Sequence, residues 1–304
     1  MTAERIARVG ELRRAISEEM VKVLGLSPSA RNRLLLGPLI WPPAHRFASV
    51  AAFFDRMVAD SGLPEAARWA LTQFATRLRV RRRAEVPGEG PLLVASNHPG
   101  TVDGLAIAAS LNRQDLKIVA SGLPFVRGLP SLGRHLIYIS HEPHTRATAL
   151  RSMIRHLRDG GSVLIFPSGN VDPDPAVLPG ADRALEGWSR SLDLLLRSVP
   201  ETRVLLTIVS DVVLPALVQN PLTRLRKELR DRQKLAEFLQ VSLQMILRWG
   251  PSLTARLSLG EPIGAEELQT KGAGQSPTYA LVENAKSLLA DHLAWGRGKL
   301  QTTS

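Results

Sequence analysis

The stretch S-N-H-P-G-T-V-D, Ser96 to Asp103, follows the apolar run of residues 92–95 and precedes a second apolar run over residues 105–111. A short run of Leu, Val and Ala bounded by turn residues reads as a buried strand, and the longer run after it as a helix. The stretch is therefore a strand-to-helix junction of an α/β fold. His98 and Asp103 stand five residues apart across a Pro-Gly turn, a spacing that lets the carboxylate fold back onto one imidazole nitrogen. The other nitrogen then faces outward as a base, and the carboxylate stabilises the imidazolium that forms when a hydroxyl is activated. The same residues also suit a plain helix start, with Thr101 as cap and Asp103 as first-turn acid.

Outward from the junction the alternation continues. Strands are expected at residues 91–96, 116–121, 136–140, 162–167, 203–209 and 254–259, with helices at 102–111, 147–158, 182–198, 222–249 and 279–295. This predicts an α/β fold class: a layered, mostly parallel sheet flanked by helices, with ligands at the carboxyl ends of the strands. Pro87, Gly88, Gly90 and Pro91 form the clearest linker. Before it, apolar residues at Ile6, Val9, Leu12, Ile16, Met20 and Val23 mark an amphipathic helix over 2–24. An irregular piece around Pro38, Pro42 and Pro43 follows, and then helical patterns over 45–60 and 64–81. The expected organisation is a small N-terminal helical domain, 1–86, and an α/β domain, 87–304.

The chain of 304 residues has 44% hydrophobic and 22% charged residues, a globular balance with room for a sizeable core. No apolar run approaches the roughly 20 residues that span a bilayer, and Glu4, Arg5, Arg8 and Glu11 interrupt any secretory leader. The absence of cysteine excludes disulfides and thiolate metal sites and fits a reducing cytoplasm. A net charge of +11 points to an anionic partner: an acidic carrier protein, a phosphorylated substrate or an anionic membrane surface. Nucleic acid ranks last, because aromatic residues are only 5% and no nucleic-acid-binding signature is present. The densest basic clusters are Arg79, Arg81, Arg82 and Arg83, expected at a helix end, and Arg224, Arg226, Lys227 and onward to Lys234. Each reads as a donor or membrane contact, or as a solvated face.

A second motif, Pro167, Ser168, Gly169 and Asn170, follows the strand at 162–167, where a Pro-Ser-Gly turn offers backbone N–H groups suited to an oxyanion hole. A plain turn is the alternative reading, and Asp172 and Asp174 of D-P-D-P read as turn residues. A serine hydrolase using Ser168 is the less favoured chemistry, since the G-x-S-x-G elbow is missing. His141 and His144 flank Glu142, but Pro143 interrupts the helical spacing a metal site would use, so no metal is expected.

Four blocks in this order resemble the glycerolipid acyltransferase superfamily, whose H-x4-D block after the first strand precedes an F-P-x-G block. The blocks are S-N-H-P-G-T-V-D, G-R-H-L-I-Y-I-S at 133–140, P-S-G-N-V-D-P-D-P at 167–175 and T-I-V-S-D-V-V-L-P at 207–215. Within that superfamily they look most like plastid-type soluble glycerol-3-phosphate acyltransferases. The resemblance implies transfer of a fatty acyl group from a thioester of acyl carrier protein or coenzyme A to a hydroxyl, with no cofactor beyond that co-substrate. It makes His98 the general base, Asp103 its orienting partner and the Gly169 region the oxyanion and acceptor site, without an acyl-enzyme. The subgroup's phosphate-binding arginines are absent, which leaves His141, His144 and Arg146 as candidate phosphate contacts and the acceptor open between a glycerol phosphate and a lysolipid. The expected location is cytoplasmic, peripheral on the inner face of the membrane. A rival class is a non-catalytic lipid-binding or membrane-scaffold protein that keeps the fold.

Overall fold

The computed structural model describes residues 8–74, 76–140, 142–247, 252–271 and 276–298. The strands are β1 (Thr76–Arg82), β2 (Leu92–Ser96), β3 (Lys117–Ser121), β4 (Leu136–Ile139), β5 (Ser162–Ile165), β6 (Arg203–Ser210), β7 (Leu253–Leu259) and β8 (Ile263–Gly264). They form one sheet in the order β1-β7-β6-β2-β5-β3-β4, with β8 paired to β6. From β6 through β4 all neighbours run parallel; β7 and β8 are antiparallel to β6, and β1 is parallel to β7.

The central strands are apolar on both faces because both faces are covered. Leu92, Val94, Leu164 and Leu205 pack into a cluster with Phe54, Val58, Leu63, Ala67 and Ile107, residues of the helices Ala30–Ser61, Leu63–Gln73 and Asp103–Leu111. Leu93, Ala95, Val163, Ile165, Val204 and Leu206 pack against the other layer, built from the helices Pro143–Arg158, Ser191–Ser198 and Pro277–Gly296. Such strands read as continuous hydrophobic runs, and that is why these elements were legible. Parallel pairing puts the ends of β2, β5 and β6 on one edge of the sheet, so the loops after Ser96, Ile165 and Ser210 converge there.

The N-terminal region departs from expectation in two places. The proline-rich piece is helical: one helix, Ala30–Ser61, carries Pro38, Pro42 and Pro43 inside it, capped by Ser29, whose side chain accepts from the Asn32 N–H. An interior proline removes a hydrogen bond and strains the turn before it. Here the buried stripe of Ile40, Ala44, Ala48 and Ala51 packs on Leu12, Ile16, Met20 and Val21 of the helix Val9–Val23, and this burial outweighs that cost. The alanines keep the two helices close. The expected start of that first helix, residues 2–7, lies outside the described residues.

The second correction concerns residues 64–81. The helix ends at Gln73, and 76–82 form β1, paired with β7 from Thr76↔Leu253 to Arg82↔Leu259. Arginine suits a helix as well as a strand, but Leu78 and Val80 alternate with Arg77, Arg79 and Arg81 at period two. β1 is an edge, and a row of arginines discourages other chains from pairing there. A boundary at 86/87 leaves β1 on the helical side although it belongs to the sheet. Elsewhere 182–198 divides into Ala181–Glu186 and Ser191–Ser198, and 222–249 into Pro221–Arg224 and Leu229–Ile246, with 248–250 outside the described residues.

Candidate active site

β2 delivers the His98 loop to the converging edge, and Asn97 fixes it there. The Asn97 side chain donates to Val209 O at 2.9 Å and accepts from Val209 N at 2.8 Å, extending the β2–β6 pairing beyond the end of the strand. His98 Nδ1 lies 2.8 Å from Asp103 Oδ2, and the Gly100 N–H donates to the same oxygen at 3.1 Å. Asp103 is 1% exposed at the first turn of its helix, and its carboxylate turns back toward the loop. With Nδ1 donating to the carboxylate, Nε2 is the nitrogen left to accept a proton. The His98 side chain keeps 30% of its surface exposed, and its ring stacks on Phe166 with centroids 4.3 Å apart.

The charges around the ring decide its proton affinity. Burial disfavours the imidazolium, but the charge and hydrogen bond of Asp103, helped by Glu237 and Asp172, outweigh it and raise the ring to about 9. The cationic form is therefore the resting form at neutral pH. A neutral base appears as the pH rises toward 9.

The loop after β5 is locked to the His98 loop by a reciprocal pair: the His98 N–H donates to Asp172 Oδ2 at 2.9 Å, and the Asp172 N–H donates to His98 O at 2.7 Å. Asp174 is fully buried and accepts from the Val212 N–H at 2.8 Å and the Asp211 N–H at 3.0 Å, which draws in the loop after β6. Burial raises its carboxyl to about 6 despite these donors. Asp174 is a turn residue as expected, accepting from the Val177 N–H on its carbonyl at 3.0 Å and from the Ala176 N–H on its carboxylate at 3.0 Å, and both it and Asp172 also clamp distant loops.

The expectation of free N–H groups at Gly169 and Asn170 is corrected. The Gly169 N–H donates to Phe166 O at 3.0 Å and the Asn170 N–H to Ser168 Oγ at 3.3 Å, so these two donors are used within the turn. Gly169 sits at φ 66, a left-handed conformation that suits glycine. Pro167 is buried beneath this turn. The Ser168 hydroxyl has one proton, which goes to Asn170 O at 3.1 Å or to the Asp172 carboxylate; it has no histidine partner among the described residues, as a hydrolase nucleophile would need.

The remaining candidates lie apart from the pair. His141 is outside the described residues. His144 and Arg146 are exposed at the start of the helix that follows β4, with His144 Nε2 3.2 Å from Glu142, and neither bonds to residues 96–103. Among the described residues no three His, Asp or Glu side chains gather in a way that could hold a metal ion. Arg79 lies over the Trp295 ring, Arg82 donates to Ser110 O and Arg83 pairs with Asp291, so these three cations are engaged on the protein's own surface. Arg226 donates to Val23 O, the end of the first helix, whereas Arg224 and Lys227 are exposed.

Residues 77–186 match the family model described as Acyltransferase. That segment contains His98, Asp103 and the turn at 167–170. Among solved structures, the 1-acyl-sn-glycerophosphate (LPA) acyltransferase PlsC from Thermotoga maritima is similar at 14% identity and a TM-score of 0.45, covering 94% of this chain and 96% of that one. No curated protein matches the chain.

Asn97, Asp172, Asp174, Gln233, Glu237 and Gln240 escaped the sequence reading. A faint signal existed for the last three. Polar residues at 233, 237 and 240 share one face of a helix that also buries Leu235 and Ala236.

Proposed function

We propose that the protein is an O-acyltransferase that moves a fatty acyl group from a thioester of acyl carrier protein or coenzyme A to a hydroxyl of a glycerol-phosphate-like or lysolipid acceptor. The carrying observation is the 2.8 Å contact of His98 with Asp103 at a strand end inside the acyltransferase-matching segment. His98 Nε2 takes the acceptor's proton as its oxygen bonds to the thioester carbonyl. Collapse of the tetrahedral adduct breaks the C–S bond, and the imidazolium returns the proton to the departing thiolate. No acyl-enzyme is needed, and Asp103 holds the tautomer and balances the imidazolium.

A peripheral place on an anionic membrane fits this acceptor class. Among the described residues no helix is long and apolar enough to cross a membrane. The helix Ala30–Ser61 nevertheless exposes Leu34 at 80%, Leu35 at 66%, Leu39 at 70% and Trp41 at 50%, beside Arg13, which lies over the Trp41 ring. Apolar side chains fringed by cations are the composition of an interfacial helix. Replacing Leu34, Leu35 and Leu39 with Ser is expected to reduce co-sedimentation with anionic vesicles; unchanged pelleting removes the membrane from the reading.

The chemistry is tested by incubating the protein with an acyl thioester and candidate acceptors. Acceptor-dependent thiol release that disappears in His98→Ala supports transfer, while release that persists in that variant overturns the assignment. Thiol release without acceptor would instead mark a hydrolase. Reversing Arg224 and Lys227 should raise the KM for a carrier-protein donor and leave that for a short coenzyme A thioester nearly unchanged.

A further inference from the structure

One face of the helix Leu229–Ile246 lies across all three converging loops. Gln233 Nε2 donates to Pro99 O at 2.6 Å and Asp172 O at 2.9 Å, while its Oε1 accepts from Asp174 N at 3.0 Å. Gln240 Oε1 accepts from Leu214 N at 2.8 Å, and its Nε2 donates to Val212 O at 2.9 Å. Between them Glu237 accepts from the backbone N–H and the hydroxyl of Thr101. Spacings of four and three put the three side chains on one stripe.

The outer two positions are neutral amides, and a third amide at 237 would serve the Thr101 N–H equally well. Position 237 carries a carboxylate instead. Burial penalises its charge and pushes its proton affinity up. Glu237 is half-buried, and a carboxylate drawn even partly out of water is costly unless a cation faces it. Among the described residues Glu237 forms no ion pair with Lys or Arg; the positive group it faces is the His98 ring. The same helix places Phe238 against the N-terminal helical hairpin, which fixes its seat over the loops from the far side.

We propose that Glu237 is a positioning residue for His98: it tethers the 98–102 loop through Thr101 and supplies a second carboxylate that stabilises the imidazolium formed when the acceptor's proton is taken. This rests on the reading of His98 as the general base. The proton moves from the acceptor hydroxyl to Nε2 and on to the thiolate, and Glu237 neither gains nor loses one in the step. The groups that face the ring are Asp103 on its own helix, Asp172 in the loop after β5 and Glu237.

Two conservative variants separate the tether from the charge. Glu237→Gln keeps an acceptor for Thr101 and removes the charge; Glu237→Asp keeps the charge and shortens the reach. Histidine-selective NMR titration of the full chain, with the His98 signal assigned by its loss in His98→Ala, reads the imidazole directly. Wild type should titrate near 9, Glu237→Gln lower by about half a unit to one unit, and Glu237→Asp close to wild type. Hydrogen exchange at residues 98–102 should rise in Glu237→Asp and stay low in Glu237→Gln. The pH limb of acceptor-dependent thiol release should move with the NMR midpoint in Glu237→Gln. A midpoint in Glu237→Gln within about 0.2 of wild type overturns the electrostatic role, and unchanged exchange in Glu237→Asp overturns the tether. If wild type releases no thiol with any acceptor, the acyl-transfer reading fails, while the titration still decides whether Glu237 acts on His98.

Discussion

Two histidines sit at ends of the same sheet in opposite fields. His98 faces three carboxylates and is raised to about 9. His292 is fully buried between Ser210 and Ser258, with its two ring nitrogens 2.7 Å from the two hydroxyls, and burial together with Arg256 and Arg81 lowers it to about 4. Its ring is therefore neutral at physiological pH, one nitrogen donating and one accepting. Nearby Asp211, at φ 58, accepts from Ser210 Oγ at 2.7 Å and pairs with Arg256, so the carboxylate closest to His292 is already balanced by a cation. An imidazole becomes a base when its carboxylates lack cations of their own and solvent reaches one nitrogen. It becomes a structural bridge when both nitrogens are spoken for.

The largest expected effect comes from breaking the first site. Asp103→Asn should leave the circular dichroism and melting of the protein close to wild type while cutting turnover by roughly two to four decades, as a mis-set tautomer does in triads. Loss of folding together with activity would return Asp103 to a helix-start role. The corresponding cut in the second site should do the reverse. His292→Ala leaves two buried hydroxyls without their partner and opens a cavity, so unfolding free energy should fall by about 2–4 kcal/mol. Turnover per folded molecule should remain within a few fold. A turnover loss comparable to that of Asp103→Asn would mean that the two histidines are not separable.

The same contrast explains what was legible in the sequence. His98 and Asp103 could be read because the pair is local, spanning one turn, and because the strand before it is apolar on both faces. The residues that hold the pair could not, since their partners are far along the chain: Asp174 meets Val212 38 residues on, and Thr101 meets Glu237 136 residues on. An aspartate between prolines reads as a turn residue, which Asp174 is, and the sequence does not show that a distant loop also brings its N–H groups to the same carboxylate. The interior prolines of the helix Ala30–Ser61 and the arginines of β1 misled for a related reason. Local propensity was overruled by an alanine stripe packing on the first helix in one case and by pairing with β7 in the other. His292 carried no local signal, because both of its hydroxyl partners lie on other elements.

Stability should depend on pH with opposite signs at the two histidines. His98 rises from an ordinary 6.5 to about 9 on folding, so its contribution is complete below pH 6.5 and is lost as pH rises through 9. His292 falls from 6.5 to about 4, so its contribution is complete above pH 6.5 and is lost as pH falls through 4. For the fully buried His292 this amounts to about 3 kcal/mol, at 1.36 kcal/mol per unit. Denaturant melts of wild type and His292→Ala from pH 7 to 4 should therefore converge as the pH falls. Curves that stay parallel would show that His292 does not change its proton affinity on folding.

The smallest effect ranks the carboxylates around His98. Asp172 acts on the ring less than Asp103 and Glu237 do. Its Oδ2 accepts from the backbone N–H of His98, a bond that an amide oxygen can replace. Asp172→Asn should therefore preserve the reciprocal link between the two loops and lower the His98 midpoint by only a few tenths of a unit, about half the fall in Glu237→Gln or less. The histidine-selective titration that reads Glu237→Gln reads this variant as well. A larger fall in Asp172→Asn than in Glu237→Gln would reverse the ranking: the second carboxylate of the site would then come from the loop after β5, and Glu237 would be left with Thr101 alone.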